Sequence, residues 1–388
     1  MKNLIYIALL TVIFFQLFLI VYPLVKRKYG KHIFLTKIQD INLIEQQVSI
    51  QAHKMLTAKR IQMSFNDEES LYTLLASWKN RLLGKKSHHV YTYFNFPLAF
   101  LLLGLLDQYE HINDKGILAK VEIKIKNLIT NKGQLKFKVD KVDQATLGLV
   151  FLRLYQITKK GHYLEASKII YQHISFFKKE DGLYRYRKEL DVFFIDTVGL
   201  LCPFLILYAE ITSNESIKIE AERQVQFALE YCTGPNQGLA FHAYDLIQNQ
   251  PLGSVNWARG MGWLLLGLSS VSINSDDKQF MNAMEHYLKV LNNLKEDYGF
   301  WAQFLGHTND KTIDSSGSLM FLYSFMKCGL INIDKSLIES LAVLCVDIDG
   351  KVQMVSGDTI YINKYSRVKG ISELGQGILL SILAESKK

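Results

Sequence analysis

Residues 254–268 read SVNWARGMGWLLLGL, so an apolar helix opens with tryptophans, an arginine and glycines packed into seven positions. An unpaired guanidinium buried among apolar side chains costs more free energy than its neighbours return, so Arg259 requires a partner. Trp257 and Trp263 offer flat walls, and the glycines let a backbone approach closely. The pattern predicts a helix that opens onto a cleft and an anion that binds there.

The stretch before this helix adds a titratable group. Residues 238–245 read GLAFHAYD, and His242 precedes Asp245 by three positions, close enough for one side chain to orient the other. A plain surface position for His242 remains an alternative. Histidine and aspartate are also residue types that contact a ligand in a cleft.

The stretch after the helix, residues 299–318, reads GFWAQFLGHTNDKTIDSSGS. If this piece is extended, Trp301 and Gln303 point the same way. Ser315 and Ser316 then begin the next helix, where hydroxyls and free backbone N–H groups hold carboxylates or sugar hydroxyls.

Two carboxylates stand in predicted helical regions further towards the N-terminus. Asp143 lies in VDQATLG (residues 142–148), where helix capping is the competing explanation. Asp196 lies in FFIDTVGLLCPFLILY (residues 193–208), inside an otherwise apolar helical run. A carboxylate in such surroundings is either hydrogen-bonded in the core or used in proton transfer.

These residue types together favour a saccharide site. Aromatic faces stack on pyranose rings, polar side chains bind hydroxyls, and two carboxylic acids handle protons. The sequence contains no metal-ligand spacing, nucleophile elbow or phosphate loop, and the GxG of ARGMGW follows no strand. We therefore expect a glycan ligand and neither a metal nor a cofactor.

The rest of the chain reads as consecutive helices with apolar residues at spacings of three and four. Convincing strand alternation is confined to residues 350–355 and 359–362. Loops between paired helices are alternately short and long, and the unusual residues fall in the long ones. This organisation predicts an all-α fold, an (α/α)6 barrel of helical hairpins over residues 47–388 with its site at one mouth.

Residues 4–25, LIYIALLTVIFFQLFLIVYPLV, are long and apolar enough to span a bilayer as one helix. We expect an uncleaved transmembrane anchor over residues 1–25 and a basic juxtamembrane linker over residues 26–46. The basic residues of KRKYGK follow the apolar segment, so the positive-inside tendency predicts a single-pass membrane protein with its large domain in the cytoplasm. The widely spaced cysteines agree with a reducing compartment.

The formal net charge of +8 over 388 residues is concentrated in that linker and in residues 120–141. Such a basic surface attracts anionic lipid or a polyanionic sugar, and a solvated face is the simplest alternative. Zinc spacings and RNA-binding motifs are absent, so no nucleic-acid partner is expected.

Four motifs in order resemble the unsaturated uronyl hydrolases of glycoside hydrolase families 88 and 105. They are GLAFHAYD, WARGMGW, DSSGSLMF and GQGILLSILAE, and the similarity runs from about Leu71 to Glu385. The resemblance implies an (α/α)6 barrel acting on acidic oligosaccharides that carry a 4,5-unsaturated uronic acid at the non-reducing end.

The resemblance also implies residue roles. An aspartate of this family protonates C4 of the vinyl ether and helps water add at C5, and Asp196 matches that acid/base. Asp143 matches the second acidic residue. His242, Trp257 and Arg259 match substrate-contacting positions, with Arg259 facing the uronate carboxylate. Arg185, in GLYRYR at residues 182–187, stands where many relatives have a histidine before the catalytic helix.

Two other functions remain open. A membrane-tethered glycan-binding factor, acting with polysaccharide-synthesis machinery, would keep the tryptophans and Arg259 and tolerate loss of Asp196. An inverting hydrolase of ordinary uronides would separate its carboxylates more widely and act on saturated substrates.

Overall fold

The computed structural model describes residues 6–7, 10–18, 41–58, 79, 82–84, 96–234, 238–307, 309, 311–366 and 368–386. From Ile41 onward, twelve α-helices are defined within these residues. They are α1 (Ile41–Thr57), α2 (Phe96–Ile112), α3 (Lys115–Ile125), α4 (Ala145–Thr158), α5 (Gly161–Ser175), α6 (Ile195–Thr212), α7 (Glu215–Tyr231), α8 (Ala258–Asn274), α9 (Lys278–Asn292), α10 (Ser315–Lys327), α11 (Lys335–Cys345) and α12 (Glu373–Glu385).

The even-numbered helices form a closed inner ring. Each of α2, α4, α6, α8 and α10 packs on the next even-numbered helix, and α12 packs on both α10 and α2. Outside this ring, α3, α5, α7 and α9 each pack on the inner helix that precedes them, while α1 packs on α12. The mainly helical fold and the ring of paired helices agree with the sequence prediction.

The burial of the two helix sets follows their sequences. Outer helix α9 buries Phe280, Met284, Tyr287 and Leu291, at spacings of three and four, and its exposed residues are polar. Inner helix α6 is apolar nearly all round because it has neighbours on most sides. Among the described residues, α6 alone is long and apolar enough to cross a membrane, and 67% of that stretch is buried inside the barrel.

The sequence-predicted anchor falls largely outside the described residues. Within it, residues 10–18 are helical and all of them are exposed. Phe14 and Phe15, for example, are 77% and 62% exposed. The barrel therefore does not bury this apolar helix.

Glycines let α2 and α12 approach closely. A Cβ atom added at Gly377 would lie 2.1 Å from the carbonyl oxygen of Phe100, and one added at Gly104 would lie 2.2 Å from that of Gly377. Gln376, fully buried beside this contact, donates from Nε2 to the carbonyls of Val48 and Gly350. Its Oε1 accepts from the backbone of Val352. One side chain of α12 is therefore bonded to α1 and to the loop after α11.

The fold is not purely α-helical as predicted, because short strands connect some of the helices. Strands β1 (Val192–Phe194), β2 (Ala243–Asp245) and β3 (Gln250–Leu252) form an antiparallel sheet that the sequence analysis missed, because three-residue strands show too little alternation. Two-stranded sheets pair β4 (Val355–Ser356) with β7 (Lys369–Gly370) and β5 (Thr359–Tyr361) with β6 (Lys364–Tyr365). The expected strand at 359–362 is present as β5, whereas the one at 350–355 reaches strand geometry only at its last residue.

Candidate active site

A cavity of about 400 Å³ opens at the end of the barrel where the inner helices begin. Phe96 starts α2, Asp143 lies in a 3₁₀ turn directly before α4, and Asp196 lies in the first turn of α6. The lining also includes Lys141, Tyr186, Arg187, Phe194, Leu200, His242, Asp358, Thr359 and Ile362. Helix N-termini carry partial positive charge, so this end of the barrel favours anionic groups.

Asp196 and His242 form the central contact of the cavity. The Oδ2 atom of Asp196 lies 3.3 Å from Nε2 of His242, and the aspartate is 18% exposed while the histidine is 3% exposed. Trp257 packs behind the imidazole with ring centroids 4.7 Å apart. The histidine is therefore fixed between the carboxylate and an aromatic wall.

The other imidazole nitrogen determines where protons sit. Nδ1 of His242 lies 2.9 Å from the carbonyl oxygen of Ile362, which only accepts, so Nδ1 carries hydrogen. The hydroxyl oxygen of Tyr365, which accepts from the backbone of Ser254, lies 3.2 Å from the same nitrogen. A hydrogen bond between Nε2 and Asp196 then requires one more proton, on the imidazole or on the carboxyl.

Asp143 occupies a drier position. It is 2% exposed, and Oδ2 accepts from the Tyr186 hydroxyl at 3.1 Å and lies 3.5 Å from Nζ of Lys141. Its Oδ1 atom is buried and has no hydrogen-bond partner among the described residues. Burial raises the pKa of this carboxyl, and the opposing effects of Lys141 and Tyr186 do not cancel the increase.

Tyr186 and Asp358 complete the polar wall, and the sequence analysis did not select either. Burial, followed by the negative charges of Asp143 and Asp358, raises the pKa of Tyr186 well above its usual range, so its hydroxyl stays protonated as a donor. Tyr186 could have been found from the sequence. In an extended GLYRYR stretch, adjacent side chains face opposite sides, so Tyr186 points away from the side that Arg185 faces. Asp358 was not, since nothing nearby in the sequence relates it to Asp143.

Arg259 lies behind the cavity wall. The side chain is 1% exposed, and its two terminal nitrogens donate to the backbone carbonyls of Ser356 and Gly357. Nη2 also lies 3.9 Å from Asp358, and the guanidinium stacks over Trp257 at 5.3 Å from the ring centroid. The partner required by this arginine is thus supplied by carbonyl dipoles, and a contact with a substrate carboxylate stays a prediction.

Two other selected residues of the same region are buried. Trp263 is 1% exposed and packs edge-on against Phe96 with ring centroids 5.3 Å apart, so it belongs to the core beneath the cavity. Gln303 is 3% exposed and donates from Nε2 to the carbonyl of Ser366 at 2.7 Å. Neither side chain lines the cavity.

Ser315 and Ser316 are fully buried at the start of α10. The Ser315 hydroxyl donates to the carbonyl of Gln353, and the Ser316 hydroxyl donates to Asp314. Asp314 also accepts from the Ser356 hydroxyl at 2.7 Å. These residues hold residues 353–366, here called the covering segment, which bring Asp358, Thr359 and Ile362 to the cavity.

Arg185 belongs to a different cavity, on the outer side of the barrel. It is 4% exposed and donates from Nη2 to Asp181 at 2.6 Å. Of the ten residues selected from the sequence, the structure places Asp143, Asp196 and His242 in the cavity lining and Trp257 directly behind it. The other six lie in the supporting structure or in the outer cavity.

Comparison with known proteins agrees with this architecture. The family model described as Glycosyl Hydrolase Family 88 matches residues 74–385. The unsaturated rhamnogalacturonyl hydrolase YesR of Bacillus subtilis (strain 168) is 23% identical over 267 residues, which span 64% of this chain and 77% of that protein.

Solved structures share the fold. A possible member of the GH105 family from Klebsiella pneumoniae subsp. pneumoniae aligns with a TM-score of 0.71 at 14% identity, covering 90% of this chain and 94% of that one. An unsaturated glucuronyl hydrolase specific for heparin aligns with a TM-score of 0.67 at 14% identity, covering 89% and 97%. Since the family model spans most of the sequence, the chain belongs to glycosyl hydrolase family 88, a family of glycoside hydrolases.

Proposed function

We propose that this glycoside hydrolase acts on acidic oligosaccharides by hydrating a 4,5-unsaturated uronic acid at the non-reducing end. The observation that carries the proposal is the Asp196–His242 contact, in which a partly exposed carboxyl faces a buried imidazole in a cavity of about 400 Å³. A cavity of this size accommodates about one sugar ring and its linkage. The relatives named above, which are an unsaturated rhamnogalacturonyl hydrolase and an unsaturated glucuronyl hydrolase, support the same chemistry.

In the proposed reaction, Asp196 donates a proton to C4 of the C4=C5 double bond. Positive charge then develops at C5 and on the ring oxygen. Water adds to C5 and returns a proton to Asp196, so the acid is regenerated. The resulting hemiketal opens to a ketone at C5, and the hemiacetal left at C1 releases the remaining oligosaccharide as an alcohol. One water molecule is consumed, and the glycosidic bond breaks.

The other wall residues suit the transition state. His242, fixed through Nδ1 by the Ile362 carbonyl, holds the Asp196 carboxyl in place. Asp143, whose pKa is raised by burial and which accepts from the Tyr186 hydroxyl, holds its carboxyl beside the reacting ring. Groups positioned before reaction in this way lower the barrier because they do not reorganise during it.

An acidic substrate is supported by the cations of the lining. Lys141 and the exposed Arg187 line the cavity together with three aspartates. Burial raises the pKa of Asp143, which favours its neutral form and reduces the negative charge of the wall. Arg187 is exposed, so its positive charge attracts a uronate carboxylate to the cavity.

The proposal is tested with a panel of lyase-generated unsaturated disaccharides, by following loss of the ultraviolet absorbance of the conjugated enol ether. Asp196→Asn should lower turnover by at least about 100-fold, since general acid–base catalysis contributes that much or more. Asp349→Asn, which changes an exposed carboxylate 61% accessible to solvent, is the matched control and should retain the parent rate. Hydrolysis by Asp196→Asn within about tenfold of the parent would refute the assignment.

We also propose that the N-terminal segment tethers the barrel to a membrane with its large domain in the cytoplasm. The exposed apolar helix at residues 10–18 supports this, because such a surface is unfavourable in water. The basic residues of KRKYGK support the orientation. The full chain should remain in the membrane fraction after carbonate extraction, and deleting residues 1–40 should release a folded barrel. Digestion of the large domain by protease added to intact spheroplasts would contradict the orientation.

The tether leaves a second function open, in which the protein is a glycan-binding factor that acts with polysaccharide-synthesis machinery and does not hydrolyse its ligand. In that case, no disaccharide of the panel is hydrolysed, while Asp196→Asn still binds oligosaccharide and supports the cellular role.

A further inference from the structure

A second cavity, of about 560 Å³, lies on the outer side of the barrel and contains none of the catalytic candidates. It is formed by the loop that carries Arg185, one face of α7 and the turn between β2 and β3. Its size falls within the range of small-ligand pockets.

The β1–β2 sheet separates the two cavities. Phe194 reaches the catalytic cavity, whereas Tyr244 lines the outer one. Phe193 is the register partner of Tyr244 and packs against Phe227 of the outer wall, with ring centroids 5.0 Å apart. Alternate residues of one sheet therefore serve two sites, and the outer cavity is a distinct compartment.

Aromatic rings form one wall of the outer cavity. Phe227 and Tyr231 stack with ring centroids 4.8 Å apart and an interplanar angle of 27°. Tyr244 packs edge-on against Phe227, with ring centroids 5.6 Å apart. Tyr231 is 43% exposed, so a flat aromatic surface faces solvent beside the cavity. The apolar face of a pyranose ring stacks favourably on such a surface.

Polar side chains form the facing wall. Asp181, Arg185 and Asp191 come from the loop, and Gln226 and Glu230 come from α7. The Nε atom of Arg185 is buried and donates no hydrogen bond within the described part of the chain, and Oδ1 of Asp191 lies 3.8 Å from it. An unsatisfied donor in a cavity wall marks a place where a ligand atom or ordered water belongs.

The charges of the lining indicate which sugar fits. The lining contains three carboxylates, Asp181, Asp191 and Glu230, against two guanidinium groups, Arg185 and Arg223. Arg185 is already paired with Asp181. A uronate or sulfate would meet more negative than positive charge, whereas the hydroxyls of a neutral sugar donate to carboxylates and accept from amides and guanidinium groups.

We infer that the outer cavity binds a neutral pyranose unit of an oligosaccharide, independently of the reaction proposed for the catalytic cavity. The bound sugar stacks on Tyr231 and hydrogen-bonds to the wall of Gln226, Asp191 and Glu230. Such a site retains a long glycan on the protein while the non-reducing end of the glycan is outside the catalytic cavity.

The test is calorimetric titration of the full chain with cellotetraose, mannotetraose, galactotetraose and xylotetraose, and with tetragalacturonate for comparison. At least one neutral tetrasaccharide should bind. Tyr231→Ala should weaken that binding by about tenfold, and the exposed Gln226→Ala, which leaves the aromatic wall intact, should weaken it too. Tyr171→Ala is the matched control, because Tyr171 stacks on Tyr208 at the same 4.8 Å spacing on an outer surface away from the cavity.

Two further results distinguish this site from the catalytic one. Binding of the neutral tetrasaccharide should persist when an unsaturated disaccharide saturates the catalytic cavity, and Tyr231→Ala should hydrolyse that disaccharide at the parent rate. The inference is overturned if no neutral tetrasaccharide binds, if Tyr171→Ala weakens binding as much as Tyr231→Ala, or if the disaccharide displaces the tetrasaccharide. If tetragalacturonate binds more tightly than every neutral tetrasaccharide, and its binding depends on Tyr231, the inference that the ligand is a neutral sugar is overturned.

Discussion

At the scale of single residues, burial of Asp143 links its protonation to folding. A carboxyl whose pKa is raised in the folded state binds its proton more tightly there than in the unfolded chain. Its contribution to stability is therefore complete below the unfolded-state pKa and is lost as pH rises through the folded-state pKa. Asparagine has no proton to lose, so replacing Asp143 removes this dependence.

We predict that Asp143→Asn gains thermal stability relative to the parent as pH rises from the acid range towards neutrality, measured as the difference in melting temperature. Asp349→Asn is the control of opposite sign. The hydrogen bond and charge of Lys351 lower the pKa of Asp349, so its stabilising effect is present at higher pH and is lost as pH falls. If the melting temperature of Asp143→Asn minus that of the parent stays constant or falls as pH rises, the burial argument is contradicted.

Residues that look misplaced in their local sequence were the ones that sequence reasoning could find. Asp196 stands out within an apolar helical run, and His242 within an apolar loop, so both were selected and both line the cavity. Asp358 lies in an ordinary polar loop, and its proximity to Asp143 depends on a fold that brings together residues more than 200 positions apart. Such tertiary proximity leaves no local pattern.

At the scale of elements, the covering segment explains why several conspicuous residues do not contact the cavity. Arg259, Gln303 and Ser315 all bind backbone carbonyls of this segment. The sequence correctly indicated that Arg259 needs a negative partner. It could not distinguish a ligand carboxylate from carbonyl oxygens 97 and 98 positions away, because both satisfy the same donors.

We predict that Arg259→Lys loosens the covering segment. A single ammonium cannot hold two carbonyls in the geometry of a planar fork, so the free energy of unfolding should fall by about 1–3 kcal/mol. Binding of an unsaturated uronide and of its carboxyl-reduced alcohol should weaken by similar factors in calorimetric titration. If only the uronide loses affinity and the melting temperature is unchanged, Arg259 contacts the substrate carboxylate instead.

At the scale of the whole molecule, the ring depends on the close contact between α2 and α12. Gly377→Ala places a methyl group against the Phe100 carbonyl, so the two inner helices must separate. We predict a loss of about 1–3 kcal/mol or more in the free energy of unfolding, measured by urea denaturation. Gly161→Ala is the matched control because no atom lies within 4 Å of its added Cβ, and it should be neutral or slightly stabilising. Equal effects of the two substitutions on the free energy of unfolding would show that the close contact between α2 and α12 is not required for stability.

The paired helices of the ring were predictable because amphipathic periodicity repeats along the chain, and a dozen helices in pairs have few ways to bury their apolar faces. The strands β1 to β3 were not, since each is too short to show a period. The outer cavity was not predictable either, because it combines a loop, a helix face and a hairpin turn that are separate in the sequence.

Gln376 also bears on how fast the protein reaches this structure. Its hydrogen bond to the Val48 carbonyl spans 328 positions, whereas each hairpin joins helices that are consecutive in the chain. Contacts of such separation raise contact order and slow refolding, so closure of the ring should follow formation of the hairpins. Gln376→Ala should therefore accelerate unfolding in stopped-flow denaturant jumps and leave the refolding rate nearly unchanged. A slower refolding rate with an unaltered unfolding rate would mean that the two ends of the chain meet before the transition state.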